Sequence, residues 1–218
     1  REDRDRQLTI YMKDHYQIPE EETRKSMEAA DQAQESFRAE LKRQGAAIIE
    51  KVKEKGKFAV VLASRPYQND ALVNHDLPEM FVTMGIPVLT ADSVPGIEDV
   101  DLSKSRIDIV NNFHARMLSS AILTARSDCL EYVQVVSFGC GHDAYLSDEI
   151  IRLMHEISGK IPLVLKLDES DIQGPLRIRV RSFLETVAMG REKKKKLETR
   201  ELTDPYPVKF EKKDKADK

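Results

Sequence analysis

Apolar positions along the chain follow two rhythms. Through about residues 1–55 they recur every three or four places, at Met27, Ala30, Phe37, Leu41, Ile48, Ile49 and Val52, within a background of Glu, Lys, Arg, Gln and Ala. That period predicts a helical lead-in whose charges sit on a solvated face. From Phe58 onward the pattern becomes short, continuous apolar runs: FAVVLA at 58–63, IPVLTA at 86–91, EYVQVVSF at 131–138 and PLVLKL at 162–167. Runs of this length, rich in β-branched residues and bounded by Gly, Pro or charge, predict buried strands. Helical patterns lie between and after them. One has Leu77, Met80, Phe81 and Met84 on its face, with Asp76 and Glu79 spaced as a capping box, Pro78 in the first turn and Gly85 as its stop. Others span about 104–126, 144–158 and 176–190.

Strands alternating with helices predict a parallel sheet covered on both faces. The expected fold is therefore a three-layer α/β/α domain with a mostly parallel sheet, Rossmann-like or flavodoxin-like, over residues 56–190. The helical lead-in of residues 1–55 precedes it, and a charged linker or tail, REKKKKLETRELTDPYPVKFEKKDKADK, follows at 191–218. Ligands of such sheets bind beyond the carboxyl ends of the strands, where loops and helix N-termini converge. Those ends are Ser64 to Tyr67, Ala91 to Ser93, Ser137 to Asp143 and Lys166 to Ser170. The pattern does not specify strand order.

Composition narrows the function classes. Lys and Arg number 35 against 38 Asp and Glu, a formal net charge of −3, which argues against a nucleic-acid binder held by bulk charge. No apolar run approaches the ~18–20 residues of a bilayer span, and the mean hydropathy is −0.49. No membrane association is expected. Two cysteines in 218 residues exclude a disulfide framework. The opening REDRDRQLTI has neither a leader-like apolar core nor an initiating Met, so the expectation is a cytoplasmic fragment.

The strongest local signal for chemistry is SFGCGHDA at 137–144. Gly139 and Gly141 flank Cys140 where a strand ends and a helix begins, leaving backbone N–H groups open to a close-approaching partner. Helix N-termini favour thiolates, the form that attacks electrophiles or ligates iron. A small inert cysteine in a tight turn fits the same residues. Cys129 lies just before the third strand, at its other end. His142, His75 and His114 are the nearby candidate bases, but no protease or transferase signature surrounds them. The chain has no CxxC pair and no HExxH, and two cysteines do not make a four-thiolate cluster. Iron on Cys140 would need ligands from another domain, another chain or a non-thiol group. Arginines give the second signal: Arg65 in RPY with Tyr67, Arg116 beside His114, and Arg177, Arg179 and Arg181 in GPLRIRVRS. Guanidinium donors match phosphate and carboxylate, as in a coenzyme-A thioester. On a helix Arg177 and Arg181 share a face and Arg179 does not. Neither GxxxxGK[ST] nor GxGxxG occurs, so no ATP or dinucleotide cradle is expected in this chain.

Four ordered blocks, RPYQNDALVNHDLPEMFVTMGIPVLTADSV, NNFHARML, LEYVQVVSFGCGHDA and KLDESDIQGPLRIRVRS, resemble a domain of the CoA-substrate-specific enzyme activases. These are large fused proteins related to the activator of 2-hydroxyglutaryl-CoA dehydratase and to benzoyl-CoA reductase subunits. The resemblance covers about residues 20–190. It departs from the family pattern at Gln68, where the family tends to have His, and at Pro175 and Leu176. It implies anaerobic electron transfer in which a separate ATPase module drives a low-potential electron into a cluster-bearing dehydratase or reductase acting on an acyl-CoA. By the same resemblance this chain is an accessory α/β domain, with Cys140 a candidate iron-sulfur ligand and ATP bound only elsewhere. Its implied partners are the ATPase module, cluster-bearing domains of a longer polypeptide and dehydratase or reductase subunits. A non-catalytic docking domain of that assembly is the alternative.

Overall fold

The computed structural model describes residues 2–137, 139–167 and 173–203. The chain divides into two units, Arg1–Ser170 and Asp171–Lys218, each described by itself. The first unit opens with α1 (Glu2–Tyr16) and α2 (Glu20–Glu54). Arg4 of α1 grips Asp31 of α2 with both terminal nitrogens, at 3.0 and 2.9 Å. No residue of α1 is buried, whereas α2 buries Thr23, Met27, Gly45 and Val52. Phe37, which fits the helical period, is exposed. Gly45 shows that α2 is more than a solvated lead-in: a Cβ there would stand 1.9 Å from the carbonyl oxygen of Ser93. Only glycine lets helix backbone approach loop backbone so closely.

Four strands follow, β1 (Ala59–Ala63), β2 (Val88–Thr90), β3 (Leu130–Ser137) and β4 (Leu163–Leu167). All neighbours are parallel, in the order β2-β1-β3-β4. Between β1 and β2 lie a 3-10 turn (Pro66–Asn69), α3 (Ala71–Asn74) and α4 (Leu77–Thr83). α5 (Asn112–Arg126) connects β2 to β3, and α6 (Gly141–Ser158) connects β3 to β4. The first connection runs one way along the sheet and the next two run the other. Right-handed crossovers therefore place α4 on one face and α5 with α6 on the opposite one. This is the expected three-layer parallel α/β architecture.

The pleat matches that division. Ala59, Val61 and Ala63 of β1 and Leu130 and Tyr132 of β3 join Leu118, Ala121, Leu146 and Ile150 from α5 and α6 in one buried cluster. Val52 brings α2 into it, with Ile48 and Ile49 packed alongside. Removing most of a side chain such as Leu118 or Leu146 from this cluster costs about 2–5 kcal/mol. Tyr132 is polar only at its tip, where its hydroxyl donates to the Met117 carbonyl at 2.7 Å. Burial pushes that hydroxyl's pKa well above the ordinary value.

Several local expectations change. The capping box does not form: Asp76 adopts a left-handed conformation, φ 56°, and its side chain makes no cap bond to α4. α5 starts at Asn112 rather than near 104, because the Asn111 side chain accepts the His114 N–H and fixes the start there. α6 starts at Gly141, three residues earlier than its apolar pattern suggests, which makes Cys140 its N-cap. In the second unit α7 (Gln173–Thr203) continues through Gly190. Among the described residues no helix is long and apolar enough to cross a membrane.

Candidate functional site at the carboxyl edge

The order β2-β1-β3-β4 puts the reversal of direction between β1 and β3, so the crevice of the fold lies between the loops that leave those strands. Ala63, the last residue of β1, pairs with Gln134, and β3 continues beyond it through Val135, Val136 and Ser137. The loop after β1 folds against this overhang. Gln68 is the clamp: its Oε1 accepts the Arg65 N–H at 2.8 Å and its Nε2 donates to Ser137 Oγ at 3.1 Å. Tyr67 and Ser137 share a hydroxyl–hydroxyl bond of 2.6 Å. Asn74 Nδ2 holds the Gln68 carbonyl from below, at 3.0 Å.

This clamp sets Arg65 over the start of α6. Arg65 Nη2 lies 3.0 Å from Cys140 Sγ and 2.7 Å from Asp143 Oδ1. Asp143 is buried, and its other oxygen accepts the Ser137 N–H at 3.0 Å. One carboxylate thus ties together the β1 loop, the end of β3 and the first turn of α6. Burial works against the Arg65 charge, Asp143 and then Cys140 work for it, and the net result lies above the usual arginine value.

Two imidazoles stand beside this triad. His114, in the first turn of α5, is only 1% exposed, and its Nδ1 has no hydrogen-bond partner among the described residues. Its ring centroid is 5.8 Å from that of His142, in the first turn of α6. His142 Nδ1 in turn bonds the Tyr145 hydroxyl. Burial, then the charges of Arg65 and His142, lower the His114 pKa, with Asp143 opposing them.

Cys140 makes no side-chain cap bond to α6. Gly139 has φ 73°, which favours glycine, and a Cβ built there or at Gly141 meets nothing within 4 Å among the described residues. The space belongs to a hollow of about 610 Å³ bordered by Gly139, Cys140, Gly141, Asp143 and Lys166.

Of the residues singled out by sequence, Arg65, Tyr67, His114, Gly139, Cys140 and Gly141 gather at this edge. Arg116 is committed to Asp92 at 2.5 Å and lies over the Phe113 ring. Arg177, Arg179 and Arg181 are exposed on α7, in the second unit. Ser137 and Asp143 lie in a strand end expected to border the ligand site, but neither was given a role of its own, and the clamping role of Gln68 was not anticipated. Asp143 carried one available signal, an acidic residue in the first turn of the helix opened by GCG, where carboxylates favour the dipole. As for a metal, the described residues bring together no group of three or more His, Cys, Asp or Glu side chains placed to hold one. Cys129 is buried before the opposite end of β3. A complete iron-sulfur cluster therefore does not fit the described residues alone.

Residues 2–94 match the family model described as a CoA enzyme activase uncharacterised domain. That stretch is similar to a domain of CoA enzyme activases. The activase match runs from α1 to just past the turn after β2, so it contains Gly45, Ser93, Arg65 and the Gln68 clamp. Cys140 and Asp143 lie outside it. No curated protein and no solved structure matches this chain.

Proposed function

We propose that this chain is an accessory domain of an ATP-dependent activase system serving 2-hydroxyacyl-CoA dehydratase-type enzymes, and that it presents Cys140 as one sulfur ligand of an iron-sulfur site completed by other domains or chains. The observation that carries the reading is the setting of Cys140. Its sulfur stands at the switch-point crevice, at an uncapped helix start, between two glycines with open space around them. A thiolate contributed to a shared cluster needs such an approach, since bulky inorganic sulfur must reach it. An iron-sulfur cluster would supply low-potential one-electron chemistry; Arg65 and Asp143 fix where the sulfur sits. ATP binding and hydrolysis belong to a separate module, and the chain's partners are that module and the dehydratase.

Anaerobic reconstitution with iron and sulfide, together with the partner proteins, tests this through metal content and EPR. Cys140→Ser is expected to remove or alter the cluster signal while Cys129→Ser leaves it unchanged. Identical iron content and spectra in Cys140→Ser would overturn the ligand role. The Arg65 contact favours a second reading, a docking domain without a redox role, because Nη2 already occupies one side of the sulfur. That reading expects normal turnover from Cys140→Ser in the assembled system.

A further inference from the structure

We infer that the crevice formed by Arg65, His114, His142 and the amino end of α6 binds its ligand through an oxyanion, a phosphate or carboxylate group. The inference rests on the choice of crevice made above, but not on iron ligation by Cys140. α6 is 18 residues long, and its first N–H groups receive no cap from the Cys140 side chain. Such a helix start concentrates partial positive charge and free donors.

His114 supplies an independent observation. Its Nδ1 is a buried polar atom without a partner among the described residues, in a ring whose centroid lies 5.8 Å from that of His142, tilted by 38°, on the first turn of α6. An orphaned buried nitrogen is destabilising, and a ligand oxygen reaching the pair would give it a partner. Arg65 adds unused donors: both of its bonds come from Nη2, and the described residues give Nη1 and Nε no partner. Among the described residues two carboxylates would repel an anion, Asp148 on the border of the hollow and, within the crevice, Asp143. The two oxygens of Asp143 are already taken by Arg65 Nη2 and the Ser137 N–H, so it orients the guanidinium rather than competing for the site. The hollow shares Cys140 and Asp143 with this crevice and brings Lys166 to its border. It leaves room for the body of a ligand larger than its anionic group.

The test is an NMR titration of the 218-residue chain, at fixed pH and ionic strength. The probes are inorganic phosphate, acetate and a chloride control, read on the histidine C2–H resonances. The His114 and His142 signals are expected to shift saturably with phosphate or acetate and not with chloride. Tighter binding of phosphate points to a phosphate group, and tighter binding of acetate to a carboxylate. His142→Ala, at an exposed position that tolerates truncation, and Arg65→Gln are each expected to weaken binding about tenfold, or about 1.4 kcal/mol. Non-saturating shifts, equal response to chloride, or unchanged affinity in His142→Ala would overturn the inference. An adventitious anion elsewhere would shift other resonances and spare these two. Because the readout involves no iron, phosphate or acetate binding that survives Cys140→Ser separates this inference from the cluster proposal.

Discussion

The two ends of β3 each carry a cysteine, and they are finished in opposite ways. At the amino end Cys129 is buried, and Ser127 Oγ sits 3.4 Å from its sulfur. Lys160 closes that end, with Nζ donating to the carbonyls of Ser127 and Leu130 at 2.6 Å each and of Thr124 at 3.3 Å. The backbone acceptors there are satisfied by one cation. At the carboxyl end Cys140 is half-buried, the helix start has no side-chain cap, and His114 Nδ1 is orphaned. The same strand thus has one end built for stability and one left open. Among the described residues a buried side-chain atom without a partner occurs beside each end, Thr124 Oγ1 at the amino end and His114 Nδ1 at the carboxyl end, so the half-buried thiol and the uncapped helix start are what set the carboxyl end apart.

Substitutions at each end sharpen this contrast. The largest effect is expected from Asp143→Ala, which leaves Arg65 without its buried counter-charge and the Ser137 N–H without its acceptor. A loss of about 3 kcal/mol is expected, read as a lower urea midpoint at unchanged slope; a change below about 0.5 kcal/mol would show that the carboxylate does not hold the two loops together. Lys160→Met comes next, because three carbonyls at the amino end lose a charged donor. About 2 kcal/mol is expected, together with faster alkylation of Cys129 and no change at Cys140. If both cysteines became more reactive, the two ends would not be independent.

The smallest effect is a pH dependence. Burial, Arg65 and His142 hold His114 below 6.5, so the unfolded chain takes up this proton first as pH falls. The stability from neutral His114 is full above pH 6.5 and is lost as pH drops through 6.5 towards the lower folded value. Hydrogen bonding to Arg152 lowers the Glu149 pKa from 4.5, and its contribution is lost separately, below pH 4.5. Urea midpoints measured against pH are expected to show the first decline in the native chain and its absence in His114→Gln. The same decline in both would assign it to another group.

The architecture was legible because burial leaves a period: continuous runs in strands covered on both faces, three-to-four spacing in the helices. The sulfur at the end of β3 was legible too, since glycine on both sides of a cysteine at a strand-helix junction is a chemical pattern as well as a structural one. What supports that sulfur was not. Asp143 acts through contacts six or more residues away and Gln68 joins a contact three residues away to one with Ser137 in another loop, and no local rhythm encodes a hydrogen bond between loops. Helix starts failed in the same way. Asn111 moved the start of α5 by side-chain capping, and the left-handed backbone at Asp76 overrode a capping-box spacing. The role of α2 was hidden for a related reason. Gly45 is a single residue in a charged helix, and its meaning lies in the Ser93 carbonyl it approaches.

The most direct test of an open working edge opposite a closed structural one is the alkylation rate of the two cysteines in the native chain, followed by mass spectrometry without denaturant. Cys140 is expected to react at least about tenfold faster than Cys129, and the two rates should converge once the chain is unfolded in urea. Equal native rates, or a faster Cys129, would contradict the account.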